Sequence, residues 1–395
     1  MKRFQDSKWY DYFNSFLSMQ KKSGLYRSLK TIYSSQDVYV TLYGKRYLHF
    51  SSNNYLGLAN HPRLKRLSSL VVKNWGTGSC ASPLITGYNA LYEALEKRLC
   101  SFKENDSAII FPCGYSANVG VISSLVNQDD LILSDELNHA SIIDGCRLSK
   151  AKLIVYPHKD IFFVEKVLKN RPVKGKVLVV TDAVFSMDGD IAPLRDLVRL
   201  CEEYEALLYV DDAHGTGVLG DKGKGTLKAL GVYSKDVVQI GTFSKALGSI
   251  GGFVVARRVV VDYLINRCRS FIYSTALPPG VLAANKVAID VVEKENKLRD
   301  KLKELGSYLK PKLSKLGLKV TGDVNHIMGL IIGNVKDTLA LCDFLMKNGI
   351  YIPAIRPPSV PINTSRLRIS LCALHTKEHL DFLVDTLTSF FRKGA

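Results

Sequence analysis

Short runs of consecutive apolar residues alternate, along most of this chain, with stretches where apolar residues recur every third or fourth position. SAIIF (107–111), LILSD (131–135), KLIVYP (152–157), KVLVVTD (176–182) and ALLYVDD (206–212) are short and apolar on both faces, which predicts fully buried strands. ALYEALEKRLCSF, GYSANVGVISSLV and LRDLVRLCEEY carry the helical period. Continuous apolar strands separated by helices predict a parallel sheet covered on both faces.

Two flanking regions read differently. FNSFLSMQKKSGLYRSL predicts an N-terminal helix and an extended arm, followed by a hairpin around Tyr43-Gly44-Lys45. After Pro278-Pro279 come a long helix from about Val281, the run HIMGLIIG, a helix DTLALCDFLMKNG, the strand RLRISL and a last helix LDFLVDTLTSFFR. Three parts are therefore expected: an arm over 1–49, a large α/β domain over 50–280 and a smaller α+β domain over 281–395. No internal repeat or low-complexity tract occurs.

Composition narrows the classes. At 395 residues with 46% hydrophobic content, the chain can bury a large core. It has no apolar run of about 18 residues, and MKRFQDSKWYDYF lacks an apolar h-region, so a cytoplasmic protein is expected. Its eight cysteines are scattered without a C-x-x-C pair and read as reduced thiols. The net charge of +17 asks for an acidic partner. Much of the excess lies in NKLRDKLKELGSYLKPKLSKLGLK, where Leu298, Leu302, Leu305 and Leu309 recur at helical spacing, so its lysines read as the solvated face of a surface helix. No zinc finger, RNP motif or basic zipper accompanies it, which argues against nucleic acid.

In an open α/β sheet, ligands bind outside the carboxyl ends of the strands, so the polar residues after each apolar run are the candidates. These are Gly114-Tyr115-Ser116 at the start of a helix, Ser186, then Asp211, Asp212 and His214, and Thr242-Phe243-Ser244-Lys245. Each has a plainer role open to it: the aspartates suit a loop cap, and His214 a hydrogen-bonded core position. The combination says more. A strand-end carboxylate, a strand-end lysine and a helix N-terminus are the parts of a pyridoxal phosphate site. The carboxylate would keep the pyridine nitrogen protonated. The lysine, partly desolvated, would act as nucleophile and base.

VDDAHGTGVLG, GTFSKALGSIGGF, VFSMDGDIAPL, SSNNYLGL, IYSTALPP and IRPPSVP followed by RLRISLCALHT together resemble the α-oxoamine synthases, in order, from about Leu25 to His375. The resemblance implies the fold type I architecture of pyridoxal-phosphate-dependent transferases, as in aspartate aminotransferase, and a homodimer with the active site at the subunit interface. It places Lys245 as the covalent anchor, Asp211 at the pyridine nitrogen, His214 and Ser186 at the phenolic oxygen, and His139 of LNHASI on the ring face. It also places Gly114, Tyr115 and Thr242 at the phosphate, with Ser274 and Thr275 reaching the partner's cofactor. Arg368 would take the amino-acid carboxylate, assisted by Asn53, and Arg27 and Ser359 would meet substrate.

Within the family the likeness points to the branch that condenses L-alanine with pimeloyl-CoA or a pimeloyl acyl-carrier protein. Both donors are acidic, which would give the basic surface a use. The alternative is the glycine C-acetyltransferase branch or another α-oxoamine synthase: the former is less favoured because Ala213 stands where that branch has serine and because it lacks an IRPPSVP segment, and the aminolevulinate and serine palmitoyl relatives because they carry Asp-Glu where this chain has Asp211-Asp212. A basic binding protein keeping a relic site is the non-enzyme alternative. Asn54 and Ser359 depart from the aspartate and threonine usual in the family. His375-Thr-Lys-Glu378-His379 matches H-x-x-E-H, but Thr376 reads as an N-cap, so the two histidines would not share a helical face and no metal is expected.

Overall fold

The protein is described by a computed structural model covering residues 7–393. Met1 to Asp6, within the charged start read above as lacking an h-region, lie outside the described residues, as do Gly394 and Ala395. A helix, Lys8–Lys22, leads through an exposed arm to β1 (Tyr39–Leu42) and β2 (Lys45–His49), the expected hairpin. Tyr43 and Gly44 both take positive φ, 50° and 73°, as a tight two-residue hairpin turn requires.

Seven strands build the central sheet: β3 (Ser107–Phe111), β4 (Leu131–Asp135), β5 (Lys152–Tyr156), β6 (Val177–Asp182), β7 (Leu207–Asp211), β8 (Val238–Thr242) and β9 (Gly252–Ala256). Their order is β3-β9-β8-β7-β6-β4-β5. Neighbours run parallel except β9, which is antiparallel to both β3 and β8. Interior strands are buried except for Leu207 at the start of β7, whereas β5, at one edge, is only partly covered. The helices explain that cover. In Ala90–Lys103, capped by the Asn89 side chain, Tyr92, Leu95, Leu99 and Phe102 recur every third or fourth residue and are buried. Leu194–Glu203 buries Leu194, Leu197, Val198, Leu200 and Cys201 in the same way.

The last third adds β10 (Ile327–Gly333), β11 (Ile350–Tyr351), β12 (Ala354–Ile355) and β13 (Ser365–Ser370). β13 is central, antiparallel to both β10 and β12. β11 leaves that sheet and pairs with β2, so the N-terminal hairpin and the C-terminal part share three strands. The basic helix, Asn296–Ser314, buries Leu302, Leu305, Leu309 and Leu313 and is pinned to the last helix by Lys312–Asp381 and Lys377–Glu304 pairs. Among the described residues no helix is long and apolar enough to cross a membrane.

Candidate active site

Strand register sets the centre of the site. Asp182, the last residue of β6, stands opposite Asp211, the last of β7, and Asp211 stands opposite Ile240 of β8. Both carboxylates are buried. Asp211 accepts from the Asn118 amide at 2.7 Å and from the Ala213 N–H at 2.9 Å. Asn118 is itself oriented by the Tyr209 hydroxyl (2.7 Å) and donates to Ser141 Oγ (2.8 Å). Asp182 accepts from the His139 N–H at 2.7 Å. Burial, then the neighbouring Asp211, pushes the Asp182 carboxyl well above the usual carboxylate range. Two adjacent buried carboxylates share the cost of one charge when Asp182 takes a proton.

His139 opens the helix Ala140–Ser149, and both the hydroxyl (2.7 Å) and the N–H (3.3 Å) of Ser141 point at its Nδ1. A nitrogen that accepts has no hydrogen, so neutral His139 carries its proton on Nε2. Burial lowers its pKa, Asp211 opposes this and Lys245 reinforces it, which keeps the ring neutral.

Lys245 lies in the turn after β8, and GTFSKALG is glycine-bounded for steric reasons. A Cβ on Gly241 would sit 2.2 Å from the Phe253 ring, and one on Gly248 (φ +64°) 2.3 Å from the Ala59 nitrogen. The Lys245 amine is 2.8 Å from His214 Nε2. Burial lowers its pKa to about 8, with Asp211 and Asp182 pulling upward and Arg368 downward. His214 Nδ1 lies 2.6 Å from the Tyr55 hydroxyl, which takes a hydrogen bond from Arg368 NH2 at 3.0 Å. Arg368 also donates to Asn53 Oδ1 (3.0 Å) and to the Ser186 carbonyl. Lys245, His214, Arg368, Asn53 and Ser186 thus form one connected group, with Asp211 and His139 acting on the same amine.

The remaining candidates are distributed around it. Gly114 is the first residue of the helix Gly114–Leu125, and a Cβ there would lie 3.7 Å from the Thr242 side chain, so helix start and strand end meet. Thr242 Oγ1 accepts from the Ser244 N–H and donates to the Gly251 carbonyl. The Tyr115 phenol points outward to Asp144. Arg27 and Ser359 meet each other at 3.5 Å, beside an Arg356 contact to the Gly24 carbonyl, but make no hydrogen bond to Arg368. Ser274 and Thr275 lie on the loop between the helices Arg269–Ile272 and Pro279–Lys294 and make no hydrogen bond to the Lys245 group within the chain. Asn54 Oδ1 accepts from the Ala59 N–H at 3.2 Å, a turn contact that an amide makes as an aspartate does.

The H-x-x-E-H stretch holds a turn. His375 precedes the helix Lys377–Lys393; its Nδ1 accepts from the Cys372 N–H and its Nε2 lies 3.1 Å from the His49 carbonyl. His379 uses Nδ1 on the Thr376 N–H and Nε2 on the Tyr39 hydroxyl. All four ring nitrogens are engaged with protein groups.

Asp182, Asn118, Ser141, Tyr55 and His326 were not among the sequence candidates. Another is His158, whose ring nitrogens reach Asp135 (2.9 Å) and Asp190 (2.7 Å), while its edge meets Phe185 at 4.4 Å. It clamps the loop that carries Ser186. Burial lowers the His158 pKa, but the two carboxylates outweigh it and push it up to about 9. A folded pKa above the ordinary 6.5 stabilises fully below pH 6.5 and is lost as pH rises through 9. We expect His158→Gln to cost about 1–3 kcal/mol at pH 6 and little above pH 9. Melting temperatures across that range test this, and a pH-independent difference would refute it.

The sequence profile of the family described as aminotransferase class I and II matches residues 45–387. The chain belongs to that family, and its relatives are α-oxoamine synthases. The curated 8-amino-7-oxononanoate synthase of Geobacter sulfurreducens is 46% identical over 367 residues, covering 92% of this chain and 94% of its own. That of Lysinibacillus sphaericus is 44% identical over 377 residues, covering 95% and 97%. Among solved structures, serine palmitoyltransferase from S. paucimobilis with bound pyridoxal phosphate and myriocin superposes with TM-score 0.91 at 27% identity, covering 97% and 98%. An 8-amino-7-oxononanoate synthase from Francisella tularensis superposes at 0.77 with 28% identity, covering 88% of this chain and 98% of its own. Backbone likeness does not separate the branches; identity along the chain does.

The residues present fit pyridoxal phosphate. An amine whose pKa is lowered to about 8, a buried carboxylate at the end of the neighbouring strand and a helix N-terminus beside a strand-end hydroxyl supply a covalent anchor, a cationic-nitrogen partner and an anion cradle.

Proposed function

We propose that this chain condenses L-alanine with a pimeloyl thioester to give 8-amino-7-oxononanoate, free CoA or carrier protein, and carbon dioxide. The observation that carries the substrates is identity of 42–46% to 8-amino-7-oxononanoate synthases over at least nine-tenths of the chain. Pyridoxal phosphate, when bound, supplies a carbonyl for the lysine and an electron-accepting ring. Arg368, fixed by Asn53, Tyr55 and Ser186, binds the alanine carboxylate as a planar fork. Lys245 would anchor the cofactor and, with its amine free, would move the Cα proton. Asp211 holds positive charge at the ring nitrogen, and Gly114, Tyr115 and Thr242 hold the phosphate. His214 and Ser186 would serve the phenolic oxygen. His139, with its Nε2–H free of the Ser141 contacts, donates to oxygen charge that develops when the thioester is attacked. Arg27 and Ser359 meet the acyl donor, whose negative charge the basic surface attracts. We further propose a cytoplasmic homodimer in which Ser274 and Thr275 serve the partner's site.

Purified protein supplied with pyridoxal phosphate, alanine and pimeloyl-CoA is expected to form 8-amino-7-oxononanoate, read by mass spectrometry. Faster turnover of glycine with acetyl-CoA would move it to the acetyltransferase branch. A protein that stays colourless with the cofactor and binds DNA in a salt-sensitive way would be the basic binding protein instead.

A further inference from the structure

Tyr55 is fully buried and its single hydroxyl stands between Arg368, Asn53 and His214. We propose that Tyr55 is a positioning residue that sets the tautomer of His214 and so favours the neutral, nucleophilic form of the Lys245 amine. The inference rests on the pyridoxal phosphate reading only in what the amine is for.

The number of hydrogens each group carries fixes the direction of these bonds. Arg368 has hydrogens but no lone pairs, so it donates to the Tyr55 oxygen, and that oxygen has one hydrogen to give. Asn53 Oδ1 is 3.1 Å away and already takes Arg368 NH1, whereas His214 Nδ1 is 2.6 Å away. A cation donating into a phenol makes its O–H the stronger donor, so the hydrogen goes to Nδ1. Nδ1 then accepts, and neutral His214 carries its proton on Nε2. That N–H faces the Lys245 amine at 2.8 Å, where it needs a lone pair to receive it, which an ammonium lacks.

The scaffold keeps this geometry from two sides. His326 Nε2 lies 2.8 Å from the His214 carbonyl and its ring meets the Tyr55 ring edge-on at 4.6 Å. Burial holds the His326 pKa down at about 3, so it donates as a neutral ring. Charged and titratable groups acting on the amine are Asp211 and Asp182 from the strand ends, Arg368 from β13, His139 from its helix start, and His214 itself. Of these only His214 touches it by hydrogen bond, and Tyr55 decides which way that bond runs.

Tyr55→Phe keeps the ring against His326 and removes the hydroxyl. His214 is then free to turn a lone pair toward Lys245 and favour the ammonium. The test is the rate at which the full-length apo protein takes up pyridoxal phosphate, followed by absorbance as a function of pH. For the unaltered chain the rate should rise as pH passes about 8. For Tyr55→Phe the rise should move up by about one pH unit, an approximately tenfold slower uptake at neutral pH, while the melting temperature falls because Arg368 and His214 each lose a buried partner. A midpoint that does not move overturns the proposal. Should the variant fail to fold, ¹⁵N-histidine labelling of the unaltered apo protein above about pH 8, where the Lys245 amine is neutral, reads the tautomer directly: Nε2–H at His214 supports the proposal and Nδ1–H overturns it. Unaltered protein that takes up no cofactor would sink the cofactor reading, while the tautomer result would still stand or fall by itself.

Discussion

Lys245→Ala is expected to abolish turnover, by about 10⁴-fold or more, together with the visible absorbance of the protein supplied with pyridoxal phosphate. The size follows from two roles on one nitrogen: covalent anchor and proton carrier. An alanine removes both, and among the described residues no other lysine hydrogen-bonds to this group. Lys103 is the nearest alternative in character, but it is buried in a separate cluster, donating to Asp212 at 3.0 Å, Thr216 at 2.8 Å and the Lys224 carbonyl at 2.7 Å. Removing one member of that pair would unfold the region, because it leaves a buried charge without its partner. The Lys245 change should leave the fold intact, since the amine's one hydrogen-bond partner, His214, keeps Tyr55 and the support of His326. Melting temperature and cofactor absorbance measured on the same sample separate the two cases. A coloured, active Lys245→Ala protein would assign the anchor to another lysine.

What the sequence could and could not disclose follows from distance along the chain. The strands Ser107–Phe111, Leu131–Asp135, Val177–Asp182 and Leu207–Asp211 were legible because each is a closed apolar run, and all their residues but the half-buried Leu207 are buried. The strand Gly252–Ala256 was not, because GGFVVA reads as the tail of the glycine-rich turn before it; only its antiparallel pairing with Ser107–Phe111 and Val238–Thr242 makes it a strand. Asking for polar residues at strand ends found Asp211, His214 and Lys245, a rule that depends on topology alone. Asp182 ends a strand in the same way and was passed over, although its register opposite Asp211 is what that rule would have used. Tyr55 and His326 carried no such sign. Their partners lie 159 and 112 residues away, and each sits in a stretch whose pattern is that of ordinary core. Asn118 was visible only as part of a helix opening, and its aim at Asp211 depends on the Tyr209 hydroxyl from the middle of β7.

That support is what makes Asp211 the second large effect. Asp211→Asn is expected to lower kcat by about 10²–10³-fold while leaving covalent uptake of the cofactor in place. The carboxylate lies in a water-excluded position, where a charge opposite the ring nitrogen is worth far more than in solvent. An amide of the same shape keeps the acceptor for the Ala213 N–H but presents an NH₂ to the Asn118 NH₂, so one hydrogen bond is lost and the melting temperature should fall slightly. The alanine KM should change little, because Arg368 and its three supports make no hydrogen bond to Asp211. The pattern of retained colour, lost kcat and nearly constant KM belongs to an electrostatic role at the ring nitrogen. A variant that loses colour and stability together would make Asp211 a structural carboxylate holding Asn118 to the strand end. One that turns over normally would place the nitrogen's partner elsewhere, and Asp182, 2.7 Å from the His139 N–H and next in the register, would be the residue to change.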